Sequence, residues 1–171
     1  MLFVEIIIYF KGKLLALFLG RLHPKKGLDL LLKALSKTVE NVPSIHLIIA
    51  GPNENNYRET LEKIIDRYNL SKHVSFMGMV KGRKKLEMLS LSDFFVLPSH
   101  QEGDSIALKE AMASNLPVVI TPACHFPDVI NFHAGIVVPP NSEILSKALE
   151  EISVKTENRV LMGKNANRII N

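Results

Sequence analysis

The chain of 171 residues has one cysteine, Cys124, and no tryptophan. A lone cysteine cannot pair within the chain, which excludes a disulfide scaffold and a four-cysteine zinc site. Such cysteine usage fits a reducing compartment. Aromatic residues are only 6%, and the basic residues are dispersed apart from Lys81, Arg83, Lys84 and Lys85. Nucleic-acid binders concentrate positive charge and add stacking aromatics, so no nucleic-acid partner is expected. A membrane-crossing run is also missing. Leu2 to Phe10 is interrupted by Glu5, and Lys11 and Lys13 follow, whereas a spanning helix needs about 20 apolar residues. The basic start and small-residue cleavage site of a signal peptide are absent too. Neither G-x-x-x-x-G-K-[ST] nor G-x-G-x-x-G occurs after the first apolar run, so the phosphate-loop and dinucleotide fingerprints do not apply. His23, His46, His73, His100, His125 and His133 lack the spacing of shared metal ligands. The expectation is a cytoplasmic chain, with peripheral association at the inner face of the membrane left open.

What is present is an ordinary globular composition: 47% apolar, 22% charged, net charge +4 and mean hydropathy +0.14. A domain of this length buries roughly 70% of its unfolded surface, so it needs no covalent staples. A modest positive balance suits a small anionic ligand. Short apolar runs at Leu14–Leu19, Ile45–Ala50, Val74–Met77, Phe94–Leu97, Pro117–Ile120 and Gly135–Val138 predict strands. Between them, helical spacing predicts helices from Leu28 to Leu35, Asn55 to Asn69, Lys84 to Leu91 and Ile106 to Ser114, with two more at Ser142–Ile152 and Asn158–Ile170. Ile6-Ile7-Ile8 reads as a further strand, or as a segment that packs on something absent from the chain. Six strands separated by helices give one α/β domain, a doubly wound, mostly parallel, Rossmann-like sheet.

In such a sheet ligands bind at the carboxyl ends of the strands, beside the reversal in strand order. Gly20-Arg-Leu-His-Pro-Lys-Lys-Gly27 follows the first strand. Arg21, Lys25 and Lys26 can supply charge to an anion there, and Gly27 allows the turn into the next helix. A second cluster, from Pro98 to Val119, puts Glu102 in a loop after a strand, with Gly103 beside it and Ser105 as an N-cap. Glu110 lies about one and a half turns into the helix that follows. Carboxylates accept from vicinal hydroxyls, so Glu110 suits a ribose and Glu102 a sugar. Each loop taken alone also reads as solvated surface. Cys124 reads as an ordinary small residue, and Lys81 to Lys85 as a solvated helix start.

Gly-Arg-x-x-x-x-Lys-Gly after the first strand and Glu-Gly-x6-Glu-Ala-Met-Ala-x-x-x-Pro-Val-Val after a later one resemble glycosyltransferase family 4, retaining enzymes of the GT-B fold. The resemblance runs from about Leu14 to Asn167. It includes Ala50-Gly51, Phe76-x-Gly78, Asp93-x-x-Val-Leu-Pro-Ser99 and Gly135-Ile-Val-Val-Pro139. It implies a nucleotide-diphospho-sugar donor (UDP-, GDP- or ADP-linked), with Arg21 and Lys26 on the diphosphate and Glu110 on the ribose. Glu102, the first carboxylate of the Glu-x7-Glu motif, would be the catalytic residue at the donor sugar. Backbone N–H groups of Gly103, Asp104, Ser105 and Ile106 would meet the diphosphate or sugar, and Met79 and Val80 the base. No cofactor and no metal are implied, because Arg and Lys neutralise the leaving diphosphate.

The family usually has an aromatic residue where Asp104 stands, and often glycine at Ser105. Lys25 replaces an acidic or neutral residue, and Asp128 stands where Glu is common. The resemblance also implies residues 1–13 as an atypical hydrophobic N-terminal segment and 14–171 as the donor-binding half alone, without the N-terminal acceptor domain or the last helix. Donor binding with little or no turnover is the expectation, with an acceptor-binding domain supplied by another chain. The alternatives are a stand-alone sugar-nucleotide-binding module and a folded fragment of a longer enzyme. The family's range points to cell-envelope polysaccharide or glycolipid assembly.

Overall fold

Apolar runs that are covered on both faces form the middle of a parallel sheet, and amphipathic segments cover it. The computed structural model describes residues 3–171, with side chains from Glu5 onward. Met1 and Leu2, at the start of the apolar opening stretch, lie outside the described residues. The elements in order are α1 (Phe3–Tyr9), β1 (Leu14–Leu19), α2 (Leu28–Asn41), β2 (Ile45–Ala50), α3 (Tyr57–Arg67), β3 (Val74–Gly78), α4 (Gly82–Leu91) and β4 (Phe94–Leu97). They continue as α5 (Ile106–Ala113), β5 (Val118–Ile120), α6 (Asp128–Asn131), β6 (Gly135–Val137), α7 (Ser142–Val154) and α8 (Thr156–Ile170). All six expected strands are present.

The sheet order is β3-β2-β1-β4-β5-β6, and every neighbouring pair is parallel. This is the Rossmann-like, doubly wound arrangement, with the order reversing between β1 and β4. Burial follows position. Every residue of β2, β4 and β5 is buried, whereas the edge strands β3 and β6 are half-buried. Leu28, Leu31, Leu32 and Leu35 form the inward stripe of α2, each worth roughly 1.5–3 kcal/mol on burial.

The strand expected over Ile6–Ile8 is instead part of helix α1. Ile6 and Phe10 are four residues apart, so a helical turn puts both on one face, and both are buried. The helix propensity penalty of isoleucine is below about 0.7 kcal/mol, small beside the roughly 1.5–3 kcal/mol from burying each large side chain. Ile7, Ile8 and Tyr9 face outward.

His46 is the polar exception in β2, only 1% exposed. Its Nδ1 lies 3.2 Å from Lys13 Nζ and its Nε2 lies 2.8 Å from Ser75 Oγ. An ammonium only donates, so Nδ1 accepts and the neutral ring carries its proton on Nε2, which donates to Ser75. Burial, reinforced by the Lys13 charge, lowers the imidazole pKa to about 4.

Candidate functional site

The reversal in strand order brings the loops after β1 and β4 together. Beyond β1 the chain keeps pairing with its neighbour: Gly20 N donates to Ala50 O at 3.0 Å and Leu22 N to Pro52 O at 2.9 Å. That pins Arg21 at the carboxyl edge. A 3-10 turn at Pro24–Lys26 then ends on Gly27, whose φ is 69°. A Cβ at Gly27 would stand 2.1 Å from Pro98 O, so the close approach of the two loops requires glycine here. His100 N, in the loop after β4, donates to Lys25 O at 2.8 Å. Lys26 and Glu102 thereby meet.

Lys26 Nζ contacts both Glu102 carboxylate oxygens, at 2.6 and 2.7 Å, with side chains 16% and 7% exposed. Ser99 Oγ donates to Glu102 Oε2 at 2.8 Å, and Ser99 O in turn accepts from Thr121 Oγ1 at 2.6 Å. Glu102 is therefore held from two sides. Arg21 pairs with Glu54 at 2.8 Å, and Lys85 pairs with Glu110 at 2.5 Å. Lys26, Arg21 and Lys85 are thus each matched by a carboxylate at this edge.

Arg21, Met79, Val80, Ile106 and Glu110, all singled out from the sequence, line one cavity of about 300 Å³ together with Lys85. Lys26, Glu102, Gly103, Asp104 and Ser105 are outside its lining, in the adjoining loops. Ser105 caps α5, accepting from Leu108 N at 3.3 Å. Asp104 pairs with Lys109 at 2.6 Å, which offsets its charge. A Cβ at Gly103 would meet nothing within 4 Å, so packing does not demand glycine at that position. Asp93 serves the fold, its Oδ2 accepting from Leu15 N at 2.7 Å. Cys124 is buried with its Sγ 3.5 Å from Leu97 O, and burial pushes its thiol pKa up, which disfavours a nucleophilic thiolate.

Sequence reasoning missed Lys85, Glu54 and Ser99. Ser99 lies inside a quoted motif without a role of its own. Glu54 and Lys85 are marked only by contacts across 33 and 25 residues, which no local pattern encodes. A second cavity, of about 250 Å³, includes Arg159 and Asp93. Arg159 is occupied by the Ile152 and Ser153 carbonyls, so it caps the end of α7. Among the described residues, no helix is long and apolar enough to cross a membrane, and no cluster of three His, Cys, Asp or Glu could hold a metal.

Residues 6–169 match the family described as Glycosyl transferases group 1. An uncharacterized glycosyltransferase of Methanocaldococcus jannaschii is 30% identical over 138 residues, 80% of this chain and 35% of its own length. The GDP-mannose-dependent alpha-(1-6)-phosphatidylinositol monomannoside mannosyltransferase of Mycobacterium tuberculosis is 30% identical over 154 residues, 85% of this chain and 40% of its own. The chain thus spans well under half the length of these relatives. Among solved structures, HepE of Anabaena, in complex with UDP and glucose, has a TM-score of 0.87 at 22% identity, covering 98% of this chain and 46% of that one. The C-terminal domain of a group 1 glycosyl transferase from Francisella tularensis has a TM-score of 0.80 at 22% identity, covering 92% of this chain and 84% of that one. The fold is that of the Rossmann-like C-terminal half of a GT-B protein, and the chain belongs to the group 1 glycosyl transferases.

Proposed function

We propose that this chain is the donor-binding domain of a retaining glycosyltransferase of family 4, which transfers a sugar from a nucleotide-diphospho-sugar to an acceptor. The observation that carries the reading is the meeting of the two motifs: Lys26 and Glu102 in direct contact, with Arg21 and Glu110 lining the cavity beside them. Arg21 and Lys26 bind the diphosphate and neutralise it as it leaves, a type of stabilisation worth several kcal/mol that needs no bound metal. Glu110 accepts from the ribose hydroxyls, and Met79 and Val80 flank the base. Backbone N–H groups from Gly103 to Ile106 meet the diphosphate or sugar, and Glu102 acts at the donor sugar once a phosphate takes its place on Lys26. Gly103, which packing does not require, leaves room for that approach.

A nucleotide-sugar is supported by the relatives' names, one GDP-mannose-dependent and one structure holding UDP and glucose. The mannosyltransferase's name also supports a glycolipid acceptor. Acceptor binding belongs to a second Rossmann-like domain, on the remainder of a longer protein or on another chain. Without it the orientation of donor against acceptor is missing, and so is its contribution to rate. Residues 14–171 bind donor, and alone they do so without turnover.

The test is a thermal-shift series on the full chain with UDP-, GDP- and ADP-sugars, beside Arg21→Ala, Lys26→Ala and Glu110→Ala. A ligand at about 100 times its Kd adds roughly 2.7 kcal/mol, which raises the midpoint of a domain this size by about 5–10 °C. A rise with one nucleotide class, lost in the variants, is expected. No rise with any donor sinks the reading.

A further inference from the structure

The donor cavity carries charge that neither the fold nor the diphosphate site accounts for. Beyond Met79 and Val80, its wall is formed by Lys81 and Lys85 at the start of α4. The first turn of α4 carries Arg83, Lys84 and Lys85 with no acid and no side-chain cap. Cations there oppose the helix dipole, so helix stability does not explain them. Arg83 is answered by Glu87 at 2.9 Å and Lys85 by Glu110 at 2.5 Å, whereas Lys81 has no ion-pair partner among the described residues.

Among the described residues, Glu110 is the one acidic side chain lining this cavity. One of its oxygens is taken by Lys85, and the other remains for a ribose diol. With Arg21 on the diphosphate, the polar side chains left to face a base are then ammonium groups, which donate and never accept. Guanine presents O6 and N7 as acceptors, and uracil presents O4. Adenine shares the N7 acceptor but presents an amino group where guanine has O6, and cytosine presents one where uracil has O4. An amino group opposite an ammonium leaves two donors facing each other without an acceptor, an arrangement that costs affinity. The remaining wall near the base is apolar, with Leu19, Ala50 and Pro52, and offers no side-chain acceptor in compensation.

We infer that Lys81 and Lys85 make this site selective for nucleotides whose base has a carbonyl at purine C6 or pyrimidine C4, guanine or uracil, over those with an amino group at that position, adenine or cytosine. The inference rests on the donor-site reading above and adds the residues that choose the base. Lys85 has two tasks, holding Glu110 in place and donating to the base. Lys81 has only the second.

The experiment is calorimetric titration of the full chain with GDP, UDP, ADP and CDP, each also run on Arg21→Ala, Lys81→Met and the Lys81→Met/Lys85→Met pair. Lys81 is exposed and Lys85 half-buried, and a melting curve for each variant checks that it folds. GDP or UDP is expected to bind about 10-fold more tightly than ADP and CDP, since the lysines are flexible and partly hydrated. Lys81→Met should shrink that ratio, and the double variant should bring it to within about twofold, whatever happens to absolute affinity. Binding of ADP or CDP as tight as that of GDP and UDP, still lost in Arg21→Ala, overturns the inference and leaves the donor site standing. A ratio unchanged in the double variant removes the lysines from the choice of base. Failure of all four nucleotides to bind overturns the donor-site reading and the inference with it.

Discussion

Lys26 Nζ lies 2.6 and 2.7 Å from the two carboxylate oxygens of Glu102, across 76 residues of chain. A cation proposed to hold a phosphate is thus held by an acid of the same site, and Ser99 fixes that acid from the other side. On the proposed function, a diphosphate would compete with Glu102 for Lys26, and its arrival would free the carboxylate for the sugar.

Glu102→Gln should therefore act in opposite directions on stability and on affinity. Removing one partner of a pair this little exposed leaves Lys26 unanswered and costs about 1–3 kcal/mol. The same change should tighten nucleoside-diphosphate binding about 3- to 10-fold, because the competing acceptor has lost its charge. Denaturant melts and titration of the same protein preparation check both signs. A variant that is unchanged in both respects contradicts the competition.

Arg21 and Glu54 repeat the arrangement at the surface, with side chains 61% and 33% exposed. Exposed pairs contribute about 0.2–1 kcal/mol. Glu54→Gln should leave the melting midpoint nearly unchanged and improve diphosphate affinity by a factor of about 1.5–5. High salt should abolish the difference. Weaker binding by this variant would mean that Glu54 positions Arg21 for the ligand and does not compete for it.

Gly27→Ala tests the closeness of the two loops. Its left-handed backbone and the 2.1 Å approach of a Cβ to Pro98 O together should cost about 2–4 kcal/mol. The Lys26–Glu102 contact should move and nucleotide binding should weaken. Gly12→Ala is the control, since Gly12 has φ 78° but open space around its Cβ position. It should cost only about 1 kcal/mol and leave binding intact.

His46 predicts a dependence of stability on pH. Its folded pKa, about 4, is below the ordinary 6.5, so the unfolded chain takes up the proton first as pH falls. The stability is complete above pH 6.5 and is lost progressively down to about pH 4. The loss is at most about 3 kcal/mol, because each tenfold difference in proton affinity between the folded and unfolded chain is worth roughly 1.36 kcal/mol. His46→Leu should be flatter than the parent between those limits in pH-dependent melts. Equal slopes would show that His46 is not the group responsible.

Strand positions and the two charged loops that follow β1 and β4 are legible in the sequence because both are local. An apolar run of four to six residues bounded by glycine or proline suits a buried strand almost wherever it lies, and Gly-Arg-x-x-x-x-Lys-Gly and Glu-x7-Glu place charges at set distances from strand ends. Ile6–Ile8 is not legible as a helix, because isoleucine's β preference points to a strand and the burial of Phe10 beside His46 of β2 is a tertiary contact. Glu54, Lys85 and Ser99 leave no local mark. Whether Arg21, Lys26 and Glu110 face solvent or a charged partner is decided by which loops the order β3-β2-β1-β4-β5-β6 brings side by side. Ion pairing falls off steeply with distance in water, so only the folded chain, with its loops in contact, could establish those pairs. The sequence determined the fold class, the loops and the residue types that reach the carboxyl edge. The tertiary structure decided their partners.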